Sequence, residues 1–362
     1  MTDYEGPERR RGDAADAAWQ REIPDAEWDD AVARIRATGE AGGEILLLCH
    51  SDPDGDALGS LLALHLSLGR LGFRSVASWG SEPFQVPPQY TFLPGLDELT
   101  PPAEVPRDPA LVVTLDAGSR DRLGSLAGLV DGRPTIVVDH HASNTRFGTT
   151  HLVAASAAAT AVLTEELISR LGGDVDTDLA ACLYVGLVTD TGRFQYANTD
   201  RSAMELGSRL LDRGIDHDAM SRQMFDTHSF GYLKVMGRML DRAVFVPRAS
   251  LVHGWVTEND LNAYGVAVEE LEDLIDLLRT VDSAEVAMMS KETGPGEWRV
   301  SLRSKGRIDV GRLAQHLGGG GHAFSAGFSA QLPLDELVAR VVDVLGHEDV
   351  VTADAGTPGG GS

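Results

Sequence analysis

Short apolar runs alternate with longer helical patterns over the first half of the chain. The runs, mostly hydrophobic and four or five residues long, predict buried strands. These strands are predicted at 45–48, 75–79, 111–115 and 135–138. The longer stretches predict helices at 26–40, 58–71, 154–171 and 179–187. Strands that alternate with helices predict an α/β fold with a mostly parallel sheet sandwiched between helices.

A second, smaller α/β unit is expected from residue 242 onward. Its strands are predicted at 243–246, 251–256, 285–290 and 298–303, and its helices at 271–281, 313–316 and 334–345. The stretch between the units has helical spacing and no Gly/Ser linker, so it predicts an ordered helical connector. The expected domains are a disordered extension (1–25), a catalytic domain (26–200), the connector (201–241), a substrate-binding domain (242–346) and a disordered tail (347–362), with the active-site cleft between the two domains.

Composition narrows the choice of compartment and partner. The chain has 362 residues, 43% of them hydrophobic, and a formal net charge of −24. No apolar run approaches the ~20 residues that cross a bilayer, and the polar start lacks the apolar core of a signal peptide. Cys49 and Cys182 lie in apolar runs and are expected to be buried and reduced, so a cytoplasmic protein is predicted. The negative charge argues against long duplex nucleic acid and favours small phosphate-bearing partners.

Side chains that can bind metal follow four apolar runs. The stretch from Cys49 to Ser60 (Cys-His-Ser-Asp-Pro-Asp-Gly-Asp-Ala-Leu-Gly-Ser) leaves a predicted strand, turns, and enters a helix. The other three stretches contain Asp116, the triplet 139–141 (Asp-His-His), and Asp190 after the predicted helix 179–187. The carboxyl ends of parallel strands meet at one edge of a sheet, so these groups are expected to converge.

So many carboxylates at one edge repel one another unless cations lie between them. Carboxylate oxygens with a few imidazoles suit Mn²⁺, with Mg²⁺, Fe²⁺ or Co²⁺ as alternatives. Two such ions about 3.5–4 Å apart would polarise a phosphoryl group and activate a water. The competing interpretation is that some of these residues only cap helices, as an Asp or Ser after a strand commonly does.

Together these stretches resemble the DHH phosphoesterase superfamily, which is named for the triplet found here at 139–141. The resemblance covers about residues 40–345. It is greatest to the branch of bifunctional oligoribonucleases and PAP phosphatases (NrnA-type), which carries a C-terminal DHHA1 domain, and to actinobacterial cyclic-di-AMP and pApA phosphodiesterases.

The resemblance implies a role for each matching residue. One ion would be held by His50, Asp54 and Asp116, and the other by Asp56, His140 and Asp190, with Asp116 shared between them. The catalytic residues would be Asp116 and His141, the latter touching the scissile phosphate or protonating the leaving oxygen. Asp139 and Asn144 would orient their neighbours from outside the ligand set.

A glycine run marks the expected substrate-binding domain. Four successive glycines, Gly318–Gly321, let backbone N–H groups approach a phosphate or a base without Cβ obstruction, although a flexible turn would also use them. In the resembling family this run and a nearby arginine grip the nucleotide. The implied substrate-binding residues are Arg303, Ser304, Gly319, Gly320, Gly321 and His322.

The expected protein is a manganese-dependent phosphoesterase that uses two-metal activated water. Implied substrates are short oligoribonucleotides, PAP, and linear or cyclic dinucleotides such as pApA and cyclic di-AMP. Three alternatives stay open: an inorganic pyrophosphatase without a nucleobase pocket, a single-strand exonuclease with a longer basic channel, and a non-catalytic nucleotide sensor. The resemblance also implies a homodimer formed through helices of the 200–240 region.

Overall fold

The computed structural model describes residues 17–321, 323–347 and 350. The chain divides between Asp226 and Thr227 into two compact units, here called unit 1 and unit 2. Each unit has its own sheet and its own hydrophobic core, so the predicted α/β class is confirmed for both. Among the residues described, no helix combines the length and the apolar character of a transmembrane segment.

Unit 1 is built on a five-stranded sheet in which all neighbouring strands are parallel. Alternate residues of the strands at 44–49 and 111–115 face two different cores, which is why these two strands are continuous apolar runs. The short strand at 150–153 was not predicted, because Thr-His-Leu-Val is not continuously apolar. The strands are β1 (Glu44–Cys49), β2 (Arg74–Ser78), β3 (Leu111–Leu115), β4 (Thr135–Asp139) and β5 (Thr150–Val153), in the spatial order β2-β1-β3-β4-β5.

Helices pack on this sheet. Within the described part of unit 1 the α-helices are α1 (Asp25–Glu40), α2 (Gly55–Arg70), α3 (Thr160–Arg170), α4 (Thr177–Asp190), α5 (Arg201–Leu211) and α6 (His217–Phe225). Helices α2 and α4 approach each other closely. A Cβ at Gly59 would lie only 2.3 Å from the carbonyl oxygen of Cys182, so the pairing depends on that glycine.

The helix predicted over 154–171 begins later than expected, at Thr160. The preceding alanines favour a helix by propensity, but a distant side chain decides where it starts. The carboxylate of Asp56 accepts hydrogen bonds from the backbone N–H groups of Thr160 (2.6 Å) and Ala161 (2.9 Å). These are two of the N–H groups that have no partner inside a helix, so a tertiary contact fixes the start of α3.

The expectation of a disordered extension over 1–25 is wrong for the part that the structure describes. Residues 18–21 form a 3₁₀ turn, and Trp19 and Ile23 join the core of unit 1 at 6% and 3% exposure. Burial of each such side chain contributes roughly 1.5–3 kcal/mol, which offsets part of the entropy lost when this segment is ordered. Residues 1–16 lie outside the described residues.

Unit 2 contains a mixed six-stranded sheet. The strands at 251–256 and 286–294 pair in parallel, and the other described neighbours in this sheet are antiparallel. The four predicted strands are present, and two more are formed around the glycine run. The strands are β6 (Val244–Val246), β7 (Leu251–Val256), β8 (Val286–Gly294), β9 (Glu297–Ser304), β10 (Gly320–Gly321) and β11 (Ser325–Gln331), in the order β10-β11-β9-β8-β7-β6.

Unit 2 also contains α-helices. Those described are α7 (Phe230–Arg242), α8 (Glu258–Tyr264), α9 (Leu274–Arg279), α10 (Val310–His316) and α11 (Leu334–Val344). Beyond them, Val350 is buried and its carbonyl oxygen accepts from the N–H of Asp309 (2.7 Å). The rest of the predicted tail after residue 347 lies outside the described residues.

The stretch predicted as a connector, 201–241, divides between the two cores. Leu210 of α5 and Met220 of α6 belong to the core of unit 1, whereas Val235 and Met239 of α7 belong to a core of unit 2. The boundary between the units therefore falls inside this stretch, after α6.

Candidate metal centre

Three neighbouring strands end at one edge of the unit 1 sheet, and a predicted ligand follows each of them. His50 directly follows β1 and Asp116 directly follows β3, while Asp139 is the last residue of β4, ahead of His140 and His141. Because β1, β3 and β4 are adjacent and parallel, their carboxyl ends lie side by side, with about 4.8 Å between neighbours. The sheet topology therefore gathers these side chains at one edge.

The other predicted ligands lie on helices. Asp54 is the N-cap of α2, where its Oδ1 accepts from the N–H groups of Asp56 and Ala57, both at 3.1 Å. Asp56 follows in the first turn. Asp190 is the last residue of α4, so it reaches the sheet edge from a helix and not from a strand.

The first group of donors contains His50, Asp54 and Asp116. Nε2 of His50 lies 3.7 Å from Oδ2 of Asp54 and 3.5 Å from Oδ2 of Asp116. The donor atoms of this group all lie within 4.8 Å of one another. When a cation is bound by ligand bonds of about 2.0–2.2 Å, the ligand atoms around it lie at separations similar to those between the donor atoms of this group. One cation therefore fits among them.

The second group contains Asp56, His140 and Asp190. Nε2 of His140 lies 4.0 Å from Oδ2 of Asp56 and 3.4 Å from Oδ2 of Asp190. It also lies 3.7 Å from Oδ1 of Asp116, and the donor atoms of Asp116, His140 and His141 form a third compact group. The two oxygens of Asp116 thus face different imidazoles, Oδ2 facing the first group and Oδ1 the second.

Backbone carbonyls select the tautomers of the two imidazoles. Nδ1 of His50 lies 2.8 Å from the carbonyl oxygen of Ser51, and Nδ1 of His140 lies 3.2 Å from that of Ala157. A carbonyl oxygen only accepts, so each Nδ1 carries the proton and the lone pair of the neutral ring is at Nε2. Nε2 is the atom that faces the carboxylates, as metal-binding histidines require.

Hydrogen bonds also hold the carboxylates. Both oxygens of the buried Asp56 accept from the first turn of α3, and its Oδ1 also lies 3.2 Å from the hydroxyl of Ser60. The hydroxyl of Thr160 donates to Oδ1 of Asp116 (2.8 Å). Asp116 itself adopts a left-handed backbone conformation (φ 56°), which Asp tolerates better than most residues.

His141 belongs to a separate hydrogen-bonded chain. Its Nδ1 donates to Oδ1 of the fully buried Asp139 (2.6 Å), and the amide of Asn144 donates to Oδ2 of the same carboxylate (2.6 Å). The side-chain oxygen Oδ1 of Asn144 accepts from the backbone N–H of Arg146 (2.6 Å), which fixes the orientation of the Asn144 amide. Burial lowers the pKa of His141, but the hydrogen bond to Asp139 and the charge of Asp116 outweigh it and raise this pKa.

Buried carboxylates dominate the electrostatics. Burial raises the pKa of Asp190 to about 6 and, with the help of Asp116, that of Asp56 well above its usual range. Burial opposes the charged form of His50 too, yet hydrogen bonds that its imidazole donates to Asp116 and Asp54 raise the pKa of His50 to about 10. Without a cation these groups would have to retain protons as counter-charge. A divalent cation takes the place of those protons.

The donor set has the chemistry of a divalent cation site. Its groups supply carboxylate oxygens and neutral imidazole nitrogens with no thiolate among them, a combination that suits Mn²⁺, Mg²⁺ or Fe²⁺. The residues present therefore fit such an ion.

In unit 2 the structure brings some of the predicted substrate-binding residues together. Gly320 pairs with Gly327 of β11, which pairs with Ser301 of β9, so three small residues lie in a row across the sheet. Arg303 lies on the same face of β9, two residues further on, because successive residues alternate between faces. Its guanidinium is half-buried, 4.0 Å from the carboxylate of Asp276.

Ser304 and Gly319 have roles in the packing of unit 2. Ser304 alternates to the opposite face from Arg303, is buried, and donates to Glu285 (3.3 Å), so the structure does not bring it to Arg303. Gly319 is required by packing, since a Cβ there would lie 2.1 Å from the carbonyl oxygen of Gly327. His322 lies outside the described residues.

Thr160 and Asn198 were not predicted as part of the site. Thr160 bonds to Asp116, and the amide of Asn198 donates to the carbonyl oxygens of Asp190 (3.1 Å) and Ala158 (2.9 Å). The signal for Thr160 was a threonine after an alanine run, where a helix could begin. Asn198 carries no comparable signal in the sequence.

Comparison with known proteins places the chain in a family. The model of the DHH family N-terminal domain matches residues 44–187, and that of the DHHA1 domain matches 254–347. The chain is 34% identical over 308 residues to the bifunctional oligoribonuclease and PAP phosphatase NrnA of Thermus thermophilus, over 84% of this chain and 90% of that protein. The chain belongs to the DHH family.

Other DHH relatives agree with this assignment. NrnA of Bacillus subtilis, also a bifunctional oligoribonuclease and PAP phosphatase, is 25% identical over 79% of this chain and 88% of its own length. The crystal structure of an exopolyphosphatase-related protein from Bacteroides fragilis superposes with a TM-score of 0.81 at 24% identity, over 89% of this chain and 96% of that one. The fold of that protein is thus shared along almost the whole chain. The family model and the two NrnA relatives show that the protein is an enzyme of the metal-dependent phosphoesterase class.

Proposed function

We propose that this DHH protein is a manganese-dependent phosphoesterase that hydrolyses short oligoribonucleotides, pApA and cyclic dinucleotides to mononucleotides, and PAP to AMP. The observation that carries the proposal is the convergence of His50, Asp116 and His140 at three adjacent strand ends, with further carboxylates within ligand distance. The substrate class is supported by the Thermus thermophilus relative, whose name states oligoribonuclease and PAP phosphatase activity.

A pair of ions is supported by the position of Asp116. It follows the middle one of the three strands, and each of its oxygens faces a different group of donors. Burial alone would raise the pKa of Asp116, but His50, His141 and His140 hold it well below its usual range, so the carboxylate is ionised and able to bridge. Two divalent cations would supply Lewis-acid polarisation of the phosphoryl group and a lower pKa for the attacking water.

His141 is the proposed proton donor to the leaving oxygen, or a donor to the scissile phosphate. Asp139 holds its Nδ1 proton and thereby directs the ring, as the buried carboxylate does in catalytic carboxylate–histidine pairs. Asn144 restrains Asp139 in turn. The expected cost of removing a positioned proton donor is about 10²–10⁴-fold in rate.

Arg303 and the row of small residues in unit 2 are the proposed nucleotide contacts. A guanidinium forms paired hydrogen bonds with a phosphate, and glycines let a flat base or a phosphate approach the sheet closely. The net charge of −24 supports small substrates over long nucleic acids. The homodimer and the cytoplasmic location stay predictions.

The test is a substrate panel with purified full-length protein, with and without Mn²⁺. PAP, pApA, cyclic di-AMP, a five-nucleotide RNA, a longer single strand and pyrophosphate are compared. The proposal expects Mn²⁺-dependent release of mononucleotides from at least one nucleotide substrate and none from Asp116→Asn. Faster turnover of pyrophosphate than of every nucleotide, processive degradation of the longer strand, or nucleotide binding without turnover would each overturn it.

A further inference from the structure

One short backbone segment contacts three different candidate ligands. Residues 154–161 run from the end of β5 into the first turn of α3, and are called here the support segment. Its carbonyl at residue 157 accepts from His140, and its N–H groups at 160 and 161 donate to Asp56. Its hydroxyl at residue 160 donates to Asp116. These three ligands come from three different elements, so the conformation of the support segment sets their mutual placement.

The first six residues of the support segment have no regular structure to fix that conformation. They precede α3 and follow β5, and one backbone bond ties them to the sheet, from the N–H of Ala154 to the carbonyl of Asp139 (3.1 Å). An irregular segment needs partners for its polar backbone groups. Two side chains from distant parts of the chain supply such partners.

Glu22 holds the segment from the N-terminal side. Its Oε2 accepts from the N–H of Ala155 (2.7 Å) and its Oε1 from the N–H of Ser156 (3.1 Å). The glutamate is anchored by its neighbours Trp19 and Ile23, which are buried in the core of unit 1. Charge-assisted pairs of this kind are stronger than neutral hydrogen bonds.

Asn198 holds the segment from the other side. Its amide nitrogen donates to the carbonyl of Ala158 (2.9 Å) and to that of Asp190 (3.1 Å). One amide thus joins the support segment to the end of α4. The carboxylate of Asp190 is the one that faces His140 at 3.4 Å, so the two sides of the second donor group are connected through Asn198.

We infer that Glu22 and Asn198 are positioning residues for the metal centre and act through the support segment. Neither side chain bonds to a candidate ligand side chain, so neither is a catalytic residue. The inference rests on the proposed metal centre. Outer contacts of metal ligands typically change metal affinity by 10–100-fold when they are removed.

The experiment measures Mn²⁺ binding to full-length protein by calorimetry, and the Mn²⁺ dependence of hydrolysis alongside it. Asn198→Ala should weaken Mn²⁺ binding about tenfold and Glu22→Gln a few-fold. In both variants the Mn²⁺ concentration for half-maximal activity should rise while kcat at saturating Mn²⁺ stays close to that of the parent. The matched control is Glu27→Gln, because Glu27 also accepts from a backbone N–H (His151, 2.8 Å) of unit 1 but outside the support segment.

Each result has a separate meaning. Unchanged Mn²⁺ affinity in both variants, or an equal loss in Glu27→Gln, would overturn the positioning role. Failure of the unaltered protein to bind Mn²⁺ would instead overturn the proposed metal centre. If a variant does not fold, hydrogen exchange on the unaltered protein decides the matter: Mn²⁺ should slow exchange of the N–H groups at 155, 156, 160 and 161, and the absence of that change contradicts the inference.

Discussion

Replacing Thr160 with valine should weaken metal binding without unfolding the protein. The Thr160 hydroxyl is fully buried and donates to Asp116 at 2.8 Å. Valine has nearly the same shape, so the change removes the hydroxyl and leaves the packing in place. A hydrogen bond to a charged acceptor contributes about 1.5–3 kcal/mol, which corresponds to a loss of about 10–150-fold in Mn²⁺ affinity.

Calorimetric titration with Mn²⁺ measures this loss directly. Thr160→Ser is the control, since it keeps the donor and removes only a methyl group; it should bind Mn²⁺ within about threefold of the parent even if it costs ~1 kcal/mol of stability. The reasoning is refuted if the valine variant binds as tightly as the parent, or if the serine variant is as weak as the valine variant. Either result would mean that the hydroxyl does not orient Asp116.

Three other substitutions test different parts of the structure. Asp116→Ala should be about 1 kcal/mol less stable to denaturant than Asp116→Asn, because alanine tolerates the left-handed backbone poorly; equal stabilities would argue against that strain. Gly59→Ala should cost about 3 kcal/mol by separating α2 from α4, whereas Gly69→Ala on the same helix, with nothing within 4 Å, should be neutral or stabilising in thermal unfolding. Although burial opposes it, hydrogen bonds from Arg242 and from Thr257 lower the pKa of Asp260 from 3.8 to about 2. These bonds therefore stabilise unit 2 above pH 4 and lose their contribution as the pH falls towards 2. Arg242→Gln should remove about 1 kcal/mol at pH 7, because Thr257 keeps its share of the shift, and little at pH 2; a pH-independent loss in guanidinium unfolding would contradict the assignment.

Strands β1, β3 and β4 of unit 1 could be predicted because they are buried on both faces. Complete burial makes 111–115 and 135–138 continuously apolar, and a polar residue directly after such a run marks the sheet edge. The gathering of His50, Asp116 and His140 follows from that topology alone. These parts of the site are encoded locally, in short stretches whose pattern is visible without the fold.

The start of α3 could not be predicted, because a side chain about a hundred residues away determines it. Alanine-rich sequence from 154 onward favours a helix, but Asp56 binds the N–H groups of Thr160 and Ala161 and leaves the preceding residues irregular. The roles of Thr160 and Asn198 depend on partners such as Asp116 and Ala158, which come close to them only in the folded chain. In unit 2 the glycine run was expected to approach a ligand. The structure shows in addition that its last two glycines pair with β11, which the sequence pattern did not indicate.

The candidate ligands lie between residues 50 and 190, in or directly next to β1, β3, β4, α2 and α4. Cations bound there would link these distant elements to one another. Because such ions bind only the folded state, its stability would grow with metal concentration. Starvation for the cation would then expose unit 1 to unfolding and proteolysis. The abundance of the enzyme in the cell, and not only its rate, would follow the supply of metal.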